Sequence, residues 1–526
     1  MKGKKIIIIT VSVLLFLVIA LKTGELWLAN KAKSIIVEQS EKQGISTNIE
    51  KVKVNLLKRS VKILNPSIMM DSNTFKHIPN LKKISVKTDY VIAENIKYKK
   101  GEFVSLSLLK INNPSVNIDM EINRATHKAT DSLQNKNLSG LLKNLKIENI
   151  KVENANINYH TWGKHIESKN SYVKNLDLDI TDFKTDTVKT FTVQSINFST
   201  DSVKCYFNNR TNSLALNKIR ANSTDKAFSI DSIMLIPEYS KFQFAHKVKT
   251  AADWTEVLSG KIQFTGIDYT ALIHEHIVKA DSIYIENVRL DSYKNKQVEQ
   301  PQKIKPLLHE MVQDLPVKID IKKAIINNST AIYEELAVSA KQAGRVSFTN
   351  LHAEFTNLTN IVSHENQYFD IDANCLLMGY GNLHAKFKIP VEKSNTHFEV
   401  QGKLGKFNMV HINPIIHPLL NVEVVSGTVN SMDIAITGNS KESHVNMTLL
   451  YNDLSVNLEK IKKDHTKKRG LATFFVDKIL VKNNNPDKRG TRHGKGTAER
   501  NPYRSQFNYL WKSLVPGIKS SVTDIL

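Results

Sequence analysis

Cysteine is nearly absent: the 526 residues include two, Cys205 and Cys375. In "VKCYF" and "FDIDANC" each falls on the apolar side of an alternating run. Buried strand thiols and one long-range disulfide are both open readings, and neither thiol has a partner base in its pattern, which argues against a catalytic role. A G-x-S-x-G nucleophile elbow is also missing, and no carboxylate pair stands out from the surface acids. "HEH", His274 to His276, puts two imidazoles at i and i+2 with no third ligand at metal-site spacing. "GTRHGKGT", Gly490 to Thr497, lacks both the glycine spacing and the Ser or Thr after Lys495 that a phosphate-binding loop needs. These absences argue against an enzyme, and no cofactor or metal is expected.

Acids are scarce beside bases, 51 against 73, for a formal charge of +22. A polyanion is the natural partner, either nucleic acid or an anionic membrane surface. The N-terminus chooses between them. "MKGKK" (1–5) precedes Ile6–Leu21, sixteen uncharged residues closed by Lys22. As a helix this run is about 24 Å long and its flanking lysines snorkel, so we read 6–21 as a transmembrane anchor with 1–5 in the cytoplasm. Val18 and Ala20 make a cleaved signal peptide the competing reading. Either reading places the remainder outside the cytoplasm and argues against nucleic acid. The N-x-[ST] triplets carry little weight in so Asn-rich a chain.

Helical periodicity is scarce too. Leu28, Ala32, Ile35 and Ile36 are spaced as on a helix before Gly44, which suggests a juxtamembrane helix within 22–50. Beyond it the period is two. Leu176, Leu178 and Ile180 alternate with aspartates, Phe369 and Ile371 with Asp370 and Asp372, and Leu383 and Phe387 lie in the alternating "LHAKFKIP". With about four helical segments in the chain, helices are too few to cover the apolar face. A second sheet, barrel closure or an apolar ligand must do so, and a long curled sheet makes that inner face a trough.

The strands repeat. "KILNPSIMMD" (Lys62 to Asp71) returns as "KINNPSVNID" (Lys110 to Asp119), each with a Pro where a strand starts. "SGLLKNLKIENIKVENANINY", ending at Tyr159, aligns with "MVQDLPVKIDIKKAIINNSTAIY", ending at Tyr333, so that Asn154 meets Asn328. "ADSIYIENVRLDSY", ending at Tyr293, reads as a third, partial copy.

"LPVKIDIKKAIINNSTAIYEE", "GRVSFTNLHAEFTNLTN" and the run Phe398 to Asn439 resemble AsmA-like proteins in their strand–turn–strand pattern. The resemblance implies a single-pass bacterial inner-membrane protein with a periplasmic β-groove, associated with phospholipid transfer and outer-membrane integrity. It implies no catalytic residues. The expected fold is mainly β: a transmembrane helix, then an extended, repetitive, curled, antiparallel-rich sheet groove with a few short helices. Its regions would be a repetitive β region at 51–303, an AsmA-like region at 304–460, a basic strand-and-loop region at 461–500 and an amphipathic helix within 501–526. The expected groove residues are Leu176, Leu178, Ile180, Phe369, Ile371, Leu383, Phe387, Met432, Ile434 and Ile436. The expected partners are phospholipid or another acyl-chain lipid, the inner membrane and an envelope protein. A scaffold for outer-membrane assembly that carries no lipid is the alternative.

From Ile461 to Lys512 fourteen Lys and Arg face four acids, a pattern of solvated loops or of an anionic headgroup contact. Phe507, Leu510, Trp511 and Leu514 then form one helical stripe with Pro516 ending the helix, placed either as a cap on the β-body or in a membrane interface.

Overall fold

The structure, a computed structural model, describes residues 25–72, 74, 80–99, 103–121, 144–163, 166–185, 191–207, 210–458 and 481–523. The expected membrane span, "KKDHTKKRG" and nearly all of "ATFFVDKILV" lie outside these residues. Among the described residues no helix is long and apolar enough to cross a membrane. The protein is mainly β and divides into two compact units, 1–207 with 214–231 and 208–213 with 232–526.

Unit 1 begins with helix α1 (Glu25–Lys42), whose Leu28, Ala29, Ala32 and Ile36 are buried along one stripe. Gly44 (φ +73°) ends the helical path, and Ser46–Asn48 is already a strand, so the helix is shorter than 22–50 allowed. Strands β1 (Ser60–Leu64) and β2 (Ser67–Asp71) are one path broken at Asn65–Pro66, and β3 (Phe103–Asn112) and β4 (Ser115–Glu121) are one path broken at Asn113–Pro114. Asn65 and Asn113 take φ of +45° and +51°, a conformation that Asn tolerates better than most residues. The repeated decapeptide therefore encodes a kinked strand. Strand β5 (Leu145–Gly163) runs parallel to β3 and then to β4, and pairs antiparallel with β6 (Ile166–Thr185), which pairs with β7 (Ser195–Phe207).

Unit 2 repeats this plan. Strands β8 (Ile277–Glu286) and β9 (Arg289–Asn295), broken at Asn287 (φ +55°), both run parallel to β10 (Lys318–Leu336) after a crossover holding helix α2 (Leu308–Gln313). The side chains of Asn158 and Asn117 in unit 1, and of Asn328 and Asn287 in unit 2, bond across these parallel pairs at the same sequence separation of 41. Both long strands bulge at the aligned positions, Val152/Ala155 and Ile326/Ser329, with Asn154 and Asn328 at positive φ. The "third copy" ending at Tyr293 is instead the broken pair β8–β9, the counterpart of β3–β4. These parallel pairings make the strand arrangement mixed. They also join both sides of the expected 303/304 boundary, since β9 pairs with β10.

An antiparallel succession follows: β11 (Gly344–Thr359), β12 (Tyr368–Leu377), β13 (Gly381–Pro390), β14 (Phe398–Leu404), β15 (Val422–Gly438), β16 (Glu442–Leu458) and β17 (His493–Glu499). Helix α3 (Asn413–Leu420) lies between β14 and β15, and α4 (Gln506–Val522) follows β17. Leu308 and Val312 of α2, Ile416 of α3, and Leu510, Leu514 and Ile518 of α4 all pack on the apolar core of these strands. Helices therefore do cover an apolar face here. These three helices all land on the same side of the meander.

Candidate functional site

The ten expected groove residues divide between the units. Phe369, Ile371, Leu383, Phe387, Met432, Ile434 and Ile436 share one face of unit 2. Phe355, Ile371, Phe387, Val400, Ile436 and Val445 form one cross-strand rung from β11 to β16, and Leu383, Leu404, Met432 and Leu449 form a second. Part of this face is closed: Phe369 is 1% exposed and Ile436 3%, within a core on which helices pack. Phe369, Ile371 and Ile436 are buried in that core, whereas Leu383, Phe387, Met432 and Ile434 are half-buried against it, on the side where α2, α3 and α4 also pack.

Leu176, Leu178 and Ile180 stand differently. Ile150, Ile180 and Ile196 form a rung across β5, β6 and β7, followed by Val152, Leu178 and Phe198, then, past the half-buried Leu176 opposite the buried Ala155, by Ile157, Val173 and Val203. All nine residues of the three rungs are half-buried. Strict alternation would break this face, because Val152 and Ile157 differ in parity, as do Leu178 and Val173. The bulge at Asn154 (φ +55°) on β5 and the kink at Asn175 (φ +50°) on β6 restore it. Each is pinned: the Asn154 amide donates to Asp177 Oδ1 at 2.8 Å, and Asn175 Nδ2 donates to Asp201 Oδ2 at 2.8 Å. The one described helix of unit 1, α1, packs on the strands Ser46–Asn48 and Lys51–Asn55, and the core it joins takes in Leu145 and Ile147 of β5 with Ile150 against it.

Helix α4 runs through Pro516 to Val522, beyond the expected stop. Its buried line is Tyr509, Ser513, Gly517 and Ser521, while Phe507 is 41% exposed beside Tyr333 and Trp511 is half-buried. The expected stripe is thus rotated: Leu510 and Leu514 reach the core, and small residues make the close approach. A Cβ on Gly494 would sit 2.1 Å from the Gly517 carbonyl oxygen, and one on Gly496 would sit 2.3 Å from Pro516 Cβ. Two glycines of "GTRHGKGT" therefore seat the helix. Arg492 of the same motif bonds Tyr451 Oη at 3.2 Å and the Ser521 carbonyl at 3.0 Å and pairs with Asp487, a structural latch.

The "HEH" histidines end a π-helical turn, with His276 at φ +58°, and the described residues include no cluster of three metal-ligating side chains. Both cysteines are free, and burial pushes the Cys375 thiol up to about 11, so it is protonated at neutral pH.

Sequence reasoning missed one feature. The polar face of β13–β17 is concave and forms an open cleft of about 840 Å3. Lys386, Gln401, Ala435, Asn446 and Lys495 are aligned across it on one rung, and His384, Lys403, Asp433, Thr448 and His493 on the next. This cleft is lined mainly by polar side chains, unlike the expected apolar trough. The signal lay in the polar half of each alternating run. No protein-family model matches the chain, and no curated protein matches it.

Proposed function

We propose that the protein is a membrane-anchored envelope protein that binds acyl chains of phospholipid on the apolar face of β5, β6 and β7. The observation that supports this reading is the contrast between the units. In unit 2 three helices pack on the apolar rungs, whereas in unit 1 the rungs of Leu178 and Val173 lie outside the core that α1 joins and stay half-exposed. An apolar face of that extent is stabilised by leaving water, at roughly 25 cal/mol per Å2, and an acyl chain presents matching chemistry without asking for hydrogen bonds. The likeness to AsmA-like proteins and the apolar segment Ile6–Leu21 agree with an inner-membrane anchor and a periplasmic body. No covalent chemistry is needed.

The test is lipid extraction and native mass spectrometry of the purified chain. Phospholipid should copurify with the parent and be lost from Leu178→Asp and Phe198→Asp, both at half-buried positions, with thermal melting of each variant as the folding control. Retained lipid in both, with melting unchanged, would rule out this face. The second reading, an assembly scaffold that carries no lipid, draws on the filled core of unit 2, and a lipid-free parent would favour it.

A further inference from the structure

We infer that the polar cleft of unit 2 is a binding site for an extended anionic saccharide, one bearing phosphate or sulfate groups on more than one ring. The inference concerns unit 2 alone and does not depend on the acyl-chain reading. Lysines enter the cleft from three strands, Lys386 on β13, Lys403 on β14 and Lys495 on β17. The carboxylates nearby are already engaged. Asp372 accepts from His384 at 2.7 Å and lies 3.1 Å from Lys386, and these bonds outweigh burial to hold its carboxyl below the usual range. Asp433 stands 3.8 Å from Lys403. Among the described residues, Lys495 has no carboxylate partner.

Spacing selects the ligand's length. Neighbouring strands lie about 4.8 Å apart, so Lys386 and Lys403 sit within one phosphate's reach of each other, while Lys495, on β17, stands three strands beyond Lys403, about 14 Å along an uncurved sheet. A single phosphate would need the Lys403 and Lys495 side chains to lean fully toward each other, whereas an oligosaccharide with separated anionic groups meets both where they stand. Between the ends, Gln401 and Asn446 offer amides and Thr448 a hydroxyl, the groups that recognise sugar hydroxyls.

The test is calorimetric titration of the purified chain with a heparin-derived tetrasaccharide at low salt, with maltotetraose as the uncharged comparison. Binding of the sulfated sugar alone is expected, at least tenfold weaker in the Lys403→Gln/Lys495→Gln variant and unchanged in Lys51→Gln/Lys53→Gln, which removes the same charge from unit 1. Equal weakening in both variants would reduce the effect to net charge and overturn the inference. So would equal binding of maltotetraose, or no binding at all. If the double variant melts lower than the parent, Lys495→Gln alone decides, since that ammonium has no carboxylate partner among the described residues to leave behind.

Discussion

Asparagine is the residue this fold uses to bend its strands. Asn65, Asn113, Asn154, Asn175, Asn287, Asn328 and Asn350 all take positive φ at strand breaks or bulges. For most L-residues that region costs about 1–2 kcal/mol, and Gly enters it without the penalty. Asn328→Ala should therefore lower stability by about 1 kcal/mol and Asn328→Gly by much less, as read by denaturant melting. Loss of equal size in both would mean that the side-chain bond from Asn328 Nδ2 to Asn287 Oδ1, 2.6 Å, matters more than the backbone. The alignment of Asn154 with Asn328 was legible in the sequence. Its cause was not, because a run such as "IINNST" does not say which asparagine is left-handed.

His309 of α2 supplies a pH-dependent prediction at the same scale. It is 2% exposed and its Nε2 has no hydrogen-bond partner. Burial lowers its pKa below the ordinary 6.5, opposed by Glu310 and by a hydrogen bond to the Lys393 backbone, with the charges of Arg500 and Lys393 adding to the lowering. Between the two values the unfolded chain binds the extra proton, so this contribution to stability is complete above about pH 6.5 and declines as pH falls below it. His309→Leu removes the titrating group. Its melting temperature relative to the parent should rise as pH drops from 7 to 5, and a constant difference would count against the assignment.

Among the elements, α4 separates what sequence periodicity reveals from what it conceals. The helix and its apolar stripe were legible from Phe507 to Leu514, but its true contact line of Tyr509, Ser513, Gly517 and Ser521 has little hydrophobic signal. Small residues allow two backbones to approach, and that choice is visible only when the facing Gly494 and Gly496 are known. Gly494→Ala should cost about 1–3 kcal/mol because the Gly517 carbonyl cannot move without the helix. Phe507→Ala, at a 41% exposed position, should cost less than about 1 kcal/mol. The reverse order would mean that the aromatic stripe holds the helix. Strand faces were legible in the same way throughout β12, β13 and β15. Which face a helix covers was not, since that depends on contacts such as Val312 with the core, far along the chain.

For the whole molecule, the proposed reading has the run Ile6–Leu21 hold the chain at a membrane with its body on the far side, and that topology is testable. The three lysines among the first five residues resist crossing, so the N-terminus should stay in the cytoplasm while everything after Lys22 is exported. A phosphatase active only outside the cytoplasm should therefore work when fused after Leu526 and fail when fused before Met1. The C-terminal position suits the test because truncation at the β15–β16 turn, where the Asn439 amide bonds the Glu442 carbonyl, would strip β16, β17 and α4 from the core of unit 2. Membrane fractionation adds the second criterion. Replacing Leu14 and Leu15 with Arg should release the body or block its export, since each charge at a helix centre costs about 2.5–3.5 kcal/mol on insertion scales. A mature chain that begins at Leu21 and fractionates with the soluble protein would replace the anchor by a cleaved signal. The acyl-chain face would then have to work without being tethered beside a bilayer.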